Sequence, residues 1–202
     1  MWHKLWVFIY INSRLTRLYF FLRRDIFNYY DINLISFFNQ GQVFFLLNIY
    51  SDKHQTVLTY LRDTEFNINN ILIWTGDFNI RDSDWNLTFP YYSTHTNTIN
   101  EIADNLNLEM STLILQIPTR YIDNENDADT VINLIFLWSS DPGFNNYQIL
   151  PDIQQLSDHT PLCVTMNIIK EDINITWQMI PKDSDKEVNC HKLHLDYNSG
   201  NT

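Results

Sequence analysis

Two short stretches hold the side chains best suited to chemistry. The first is Gly76-Asp77-Phe78-Asn79, which closes the apolar run Ile71-Leu72-Ile73-Trp74-Thr75. The second is Ser157-Asp158-His159, just ahead of the apolar segment that starts at Pro161. An apolar run that breaks at Gly-Asp-x-Asn reads as a buried strand ending in a turn. Strand alternation aims Asp77 and Asn79 the same way, toward one phosphate or one metal-bound water. Taken alone, the pattern is more often an Asx turn, because Asp and Asn cap turns routinely. Two further stretches can join them at strand ends: Asn48-Ile49-Tyr50 and Val131-Ile132-Asn133-Leu134.

Phosphodiester hydrolysis suits this set of residues. It needs a water oriented or deprotonated, a leaving oxygen stabilised and nonbridging charge neutralised. Asp77 would orient the water, Asn79 would donate to a phosphate oxygen, and His159 would donate to the phosphoryl oxygen. Asp158 would help hold Mg²⁺ directly or through water.

The elements that must position these groups follow from the apolar pattern. Residues 31–38 and 43–50 are apolar runs joined by Asn39-Gln40-Gly41-Gln42, which predicts an antiparallel hairpin. Ser51-Asp52 offers an N-cap, and Val57, Tyr60, Leu61 and Thr64 fall at helical spacing up to about Glu65. The strand from Ile71 to Phe78 comes next, then an irregular segment over 82–97. A second helix carries Ile99, Ile102, Ala103 and Leu106 on one face. Leu113 to Gln116 is a candidate strand closed by Pro118-Thr119-Arg120-Tyr121, and 123–129 is an acidic loop. Residues 131–138, 147–150 and 161–168 read as three more strands. Most strands are apolar on both sides, which suits sheets covered by helices, an α/β sandwich. The expected organisation is an irregular leading segment over 1–30, one domain over 31–169, and a polar linker and tail over 170–202.

Composition sets the outer limits. A chain of 202 residues, 45% hydrophobic and 15% aromatic, holds one domain with a real core. Cys163 and Cys190 make no disulfide framework, which fits a reducing, intracellular compartment. No apolar run reaches membrane-spanning length, so no membrane partner is expected. The net charge of -11 argues against tight nonspecific DNA binding, although Lys4, Arg14, Arg17, Arg23 and Arg24 crowd the start.

With both motifs in view, the chain resembles the endonuclease/exonuclease/phosphatase superfamily. Gly76-Asp77-Phe78-Asn79 is similar to its central motif and Ser157-Asp158-His159 to its closing one. Leu47-Asn48-Ile49-Tyr50 stands where the family places a catalytic tyrosine strand. Pro118-Thr119-Arg120-Tyr121 followed by Val131-Ile132-Asn133-Leu134 most resembles the endonuclease domains of non-LTR retrotransposons. The resemblance runs from about Ile32 to Ile168. It implies a four-layered α/β sandwich of the deoxyribonuclease I kind and metal-dependent cleavage of DNA. The implied site is Tyr50, Asp77, Asn79, Asn133 and His159, with Asp158 toward magnesium; Arg120 reads equally as a contact to the DNA backbone or as a plain loop arginine.

Two departures qualify that expectation. The family's opening strands carry an Asn and then a metal-binding Glu. No such strand precedes Ile32, and Glu65 is the first glutamate of the chain. The domain is therefore expected to be incomplete at its amino terminus and to hold magnesium weakly or not at all. Second, related proteins place an Asp where this chain has Asn133, and that Asp orients the closing histidine. Impaired hydrolysis is the leading expectation. The alternatives are a catalytically inactive retrotransposon remnant, or a phosphoesterase of the same fold acting on lipid or inositol phosphates. Other polar residues read as structural: Arg23-Arg24-Asp25 as a solvated turn, Asp82 and Asp84 as turn and solvent residues, His95 as a surface residue. Trp74 and Trp138 read as core.

Overall fold

The computed structural model describes residues 19–39, 41–64, 68–86, 90–111, 118–121, 129–138, 146–149, 159, 162–169, 171–178 and 192–197. It is a mixed α/β chain with a six-stranded sheet and a four-stranded sheet. The six-stranded sheet holds β1 (Phe21–Leu22), β2 (Ile32–Asn39), β3 (Gln42–Tyr50), β4 (Ile71–Asp77), β5 (Leu108–Met110) and β6 (Asn133–Trp138). Their spatial order is β1-β2-β3-β4-β6-β5. β2 and β3 form the expected hairpin. Asn39 pairs with Gln42 across a two-residue turn, and Gly41 supplies the positive φ of 83° there.

β3 and β4 run parallel, joined through α1 (Thr56–Asp63). The Asp52 carboxylate accepts the backbone amides of His54 and Thr56, each at 3.1 Å, so it caps the turn that starts α1. Val57, Leu58 and Leu61 are buried on one side of that helix. α2 (Thr94–Asn105) starts at Ser93, whose hydroxyl accepts the His95 amide, and buries Ile99, Ile102 and Ala103. Under these helices the strands are apolar on both faces, as their two-sided patterns predict. Trp74 stacks on Phe136 with centroids 4.9 Å apart and meets Phe78 edge-on at 5.0 Å. Trp74 is fully buried, while Trp138 is only partly so. Among the described residues no helix is long and apolar enough to cross a membrane.

The four-stranded sheet has the order β10-β9-β8-β7. It comprises β7 (Asn146–Ile149), β8 (Leu162–Ile169), β9 (Glu171–Gln178) and β10 (Lys192–Tyr197). β9 and β10 differ from the frayed tail expected after residue 170. Ile173, Ile175 and Trp177 alternate with polar residues, as do Leu193, Leu195 and Tyr197. This is a strand period that a polar average conceals. The candidate strand over 113–116 and residues 179–191 of the expected linker and tail lie outside the described residues.

The leading segment is also more ordered in purpose than its composition suggests. β1 pairs with β2, and Phe27 is buried in the core. Arg23 and Asp25 do pair at the surface, at 2.7 Å. Arg24 departs from the solvated-turn reading. Its guanidinium donates to the carbonyls of Tyr29 at 2.7 Å and Ile32 at 2.6 Å, and to Asn33 Oδ1 at 2.8 Å. Five fixed donors on one planar group let a single side chain tie three acceptors of this turn together, beside the backbone bond from the Ile32 amide to the Tyr29 carbonyl.

Candidate functional site

Register brings the chemistry-bearing residues into one row. Tyr50 on β3 stands opposite Asp77 on β4, and Asp77 opposite Asn133 on β6. Asp31, just ahead of β2, continues the row, because its carbonyl accepts the Tyr50 amide at 2.9 Å. Residues directly opposite each other project from the same face of a sheet, so Asp31, Tyr50, Asp77 and Asn133 share one face. One step further in lies a second polar row, Asn33, Asn48 and Thr75, all buried. Beyond that the same face is apolar, with Ile35, Leu46 and Ile73 in turn. Polarity is thus confined to one end of the sheet. Buried polar groups persist in a fold where hydrogen bonds or a ligand satisfy them.

The turn after β4 is reached by another route than alternation. β4 ends at Asp77, and Asn79 sits outside the strand with φ of 50°. Asp77 Oδ1 accepts the Asn79 amide at 3.1 Å, an Asx turn. Asn79 Nδ2 donates to the Ser51 carbonyl at 2.8 Å, tying the turn after β4 to the turn after β3. One of its two amide protons is therefore committed to the scaffold.

His159 meets Asn133. Asn133 Nδ2 lies 3.1 Å from His159 Nδ1 and 3.3 Å from the Thr119 carbonyl oxygen. A carbonyl only accepts, so the nitrogen of the amide must face Thr119, and the same nitrogen then faces the imidazole. Nδ1 becomes the acceptor, and the proton of the neutral ring sits on Nε2. Asn133 Oδ1 is left buried without a hydrogen-bond partner among the described residues. Thr119 fixes this corner: its hydroxyl accepts the amides of Ile132 and Asn133, each at 3.0 Å. Backbone bridges join Arg120 to both Thr130 and His159, so Pro118-Thr119-Arg120 links the histidine to β6.

Electrostatics around Tyr50 reflect this crowding. Burial raises the pKa of its phenol, and Asp77, Asp31 and Asp52 raise it further, opposed by Arg120. The hydroxyl stays protonated at neutral pH and can donate. Asp31 is half-buried, and its pKa is raised by burial first and by Asp52 second. Its Oδ1 has no partner among the described residues. The folded state thus holds this proton more tightly than the unfolded chain, and stability falls as pH rises through the carboxylate range. Asp31→Asn is expected to raise the melting temperature at pH 7 and to change nothing near pH 3. Solvent screens a half-buried group, so the gain is small, about 2–4 °C. Thermal scans at the two pH values check this; an equal gain at both removes the ionised carboxylate as the cause.

Five of the seven residues singled out from sequence therefore gather on one side: Tyr50, Asp77, Asn79, Asn133 and His159. Arg120 lies beside them. Asp158 lies outside the described residues. Among the described residues no three or more His, Cys, Asp or Glu side chains converge as a metal would need. Asp82 corrects the sequence reading. It is fully buried and accepts from the amides of Asp84 and Ser93 and from the Thr96 hydroxyl. Asp84 and His95 are exposed, as expected. Sequence reasoning also missed Asp31. Counting back from the two-residue hairpin turn pairs it with Tyr50, and that signal was there to read. Thr119 was marked only as part of Pro118-Thr119-Arg120-Tyr121, and its role rests on the amides of Ile132 and Asn133 at the start of β6.

No family model matches the chain, and no curated protein matches it. Among solved structures it is similar to the endonuclease domain of TRAS1, a telomere-specific non-LTR retrotransposon. The TM-score is 0.59 at 13% identity, over 76% of this chain and 71% of that one. At that identity the likeness establishes the fold.

Proposed function

We propose that this chain, with the fold of a retrotransposon endonuclease domain, is an endonuclease-type domain. It engages a DNA phosphodiester at the Tyr50–Asp77–Asn133 row, and its hydrolytic turnover is impaired. The observation that carries the reading is the contact between Asn133 and His159 at the end of a row holding Asp77 and Tyr50. In this reading the protonated Tyr50 hydroxyl and His159 Nε2–H donate to nonbridging phosphate oxygens. Asp77 orients a water, Asn79 offers its remaining amide proton, and Arg120 neutralises backbone charge. Impairment follows from the amide at Asn133. A neutral donor on Nδ1 does nothing to favour an imidazolium as charge develops, whereas a carboxylate would. The finer architecture proposed with it is a four-layered sandwich.

Magnesium belongs to the proposal as a weak ligand. Mg²⁺ demands near-ideal octahedral geometry and is usually held through one or two carboxylates with waters completing the shell, and Asp158 is the only carboxylate assigned to that task. Titration calorimetry of the 202-residue chain is expected to show no saturable Mg²⁺ binding below millimolar concentration. In the same preparation, supercoiled plasmid with Mg²⁺ should be nicked no faster than in buffer, and Asp77→Ala should change nothing. Nicking by the unaltered chain that Asp77→Ala abolishes would show a working enzyme and overturn the impairment.

A further inference from the structure

Tyr91 and Tyr92 are 69% and 76% exposed, the highest values among the exposed large hydrophobic side chains of the described residues. They lie in the connection that leaves β4 directly after Asp77 and Asn79 and runs to α2. An exposed pair of tyrosines on a loose surface loop would call for no explanation. The described residues of this connection are held at several points. Asp82, buried at its base, gathers the amides of Asp84 and Ser93 and the Thr96 hydroxyl onto one carboxylate. Ser83 donates its amide to the Tyr91 carbonyl at 3.1 Å, which holds the tyrosines against that base.

A second tether ties the connection to the candidate site. Asn86 is buried, donates to the Val131 carbonyl at 3.0 Å, and accepts the Val131 amide. Val131 lies two residues ahead of Asn133. The connection is therefore anchored to both strands of the site, to β4 through the chain and to β6 through Asn86. Burying a carboxylate and a carboxamide is costly unless each is fully hydrogen-bonded, and here both are used to fix the stretch that displays two aromatic rings.

Resting on the proposed DNA-directed reading, we infer that Tyr91 and Tyr92 form a stacking platform for a nucleobase next to the phosphodiester held at the row. Tyrosine suits the task. Its ring stacks on any base face, loses little conformational freedom, and carries a hydroxyl that stays solvated. Arg81, exposed in the same connection, supplies a positive charge for the adjoining backbone. Because a ring recognises a base face and not a particular base, the platform prefers unstacked or easily opened DNA over any one sequence. It also offsets the poor electrostatics of a chain with net charge -11, since stacking does not depend on charge.

The test is fluorescence anisotropy at low salt with the whole chain and two labelled single strands of equal length. One strand carries ordinary bases; the other is abasic throughout. The unaltered chain should bind the base-containing strand at least about tenfold more tightly, the scale of one stacked base. Tyr91→Ser/Tyr92→Ser should erase that difference and leave the abasic strand unaffected. Tyr91→Phe/Tyr92→Phe should keep it, since the ring is retained. Equal binding of both strands, unchanged by the serine pair, would overturn the platform and leave the phosphodiester reading standing. Failure of the unaltered chain to bind either strand would overturn the DNA-directed reading and the platform with it.

Discussion

Gly76→Ala is expected to cost the chain about 3 kcal/mol or more, the upper range for overpacking a well-packed core. An added Cβ would stand 2.0 Å from the Ile49 carbonyl oxygen and 2.9 Å from the Ile49 Cγ1 carbon. The first of these is a backbone atom in a parallel pair, and a backbone atom of a central strand cannot swing aside. The residue also has φ of 154°, where side chains rarely sit, so strain adds to the clash. Total stability is only about 5–15 kcal/mol for a typical domain, so such a loss is a large share of it. Gly41→Ala is the control. Its φ is 83°, but nothing lies within 4 Å of the added carbon, and about 1 kcal/mol is expected. Urea denaturation followed by circular dichroism separates the two. Equal midpoints for both variants would mean that backbone conformation, not close approach, is what Gly76 provides.

That close approach matters to the site. With no side chain at 76, β4 lies against β3 so that Asp77 falls opposite Tyr50. The glycine of Gly76-Asp77-Phe78-Asn79 thus sets the geometry its neighbour uses.

How far the sequence could be read depended on whether a signal was local. The hairpin, both helices and the apolar β4 were legible because periodicity and turn residues lie within each element. Strand ends put Tyr50 and Asp77 in the row for the same reason, whereas Asn133 was read inside a strand over 131–138 and in fact begins β6. Asn79 was placed by a mistaken route, since alternation stops at Asp77 and an Asx turn takes over. Asp82 looked like a turn residue because its partners, Ser93 and Thr96, lie beyond an irregular segment. Arg24 looked solvated because its acceptors are carbonyls, which every residue has and no composition reveals. The strands after residue 170 were hidden by averaging over polar residues that alternate with apolar ones. Thr119 could be flagged as part of a motif, but its hydroxyl acts on β6 amides that only the folded chain brings near.

Asn133→Asp is expected to raise the pKa of His159, because an opposite charge would then stand within hydrogen-bonding range of the ring. The amide nitrogen that now faces Nδ1 at 3.1 Å would be replaced by a carboxylate oxygen. An oxygen there can only accept, so Nδ1 must carry a proton, and the charged ring gains a partner. Long-range proton–nitrogen NMR of the imidazole should show protonation moving from Nε2 to Nδ1 in the neutral form, and a titration shifted upward. The change has a cost on its other side. The Thr119 carbonyl, 3.3 Å away, would lose its donor and face a second oxygen, which destabilises by about 1–3 kcal/mol. Plasmid nicking should rise little. In serine proteases the reverse exchange lowers turnover about ten-thousandfold, but groups that act as one unit do not recover when a single member is restored. An unchanged histidine titration would mean that residue 133 does not face the ring in solution. Nicking that rose about ten-thousandfold would make Asn133 the sole defect of the site.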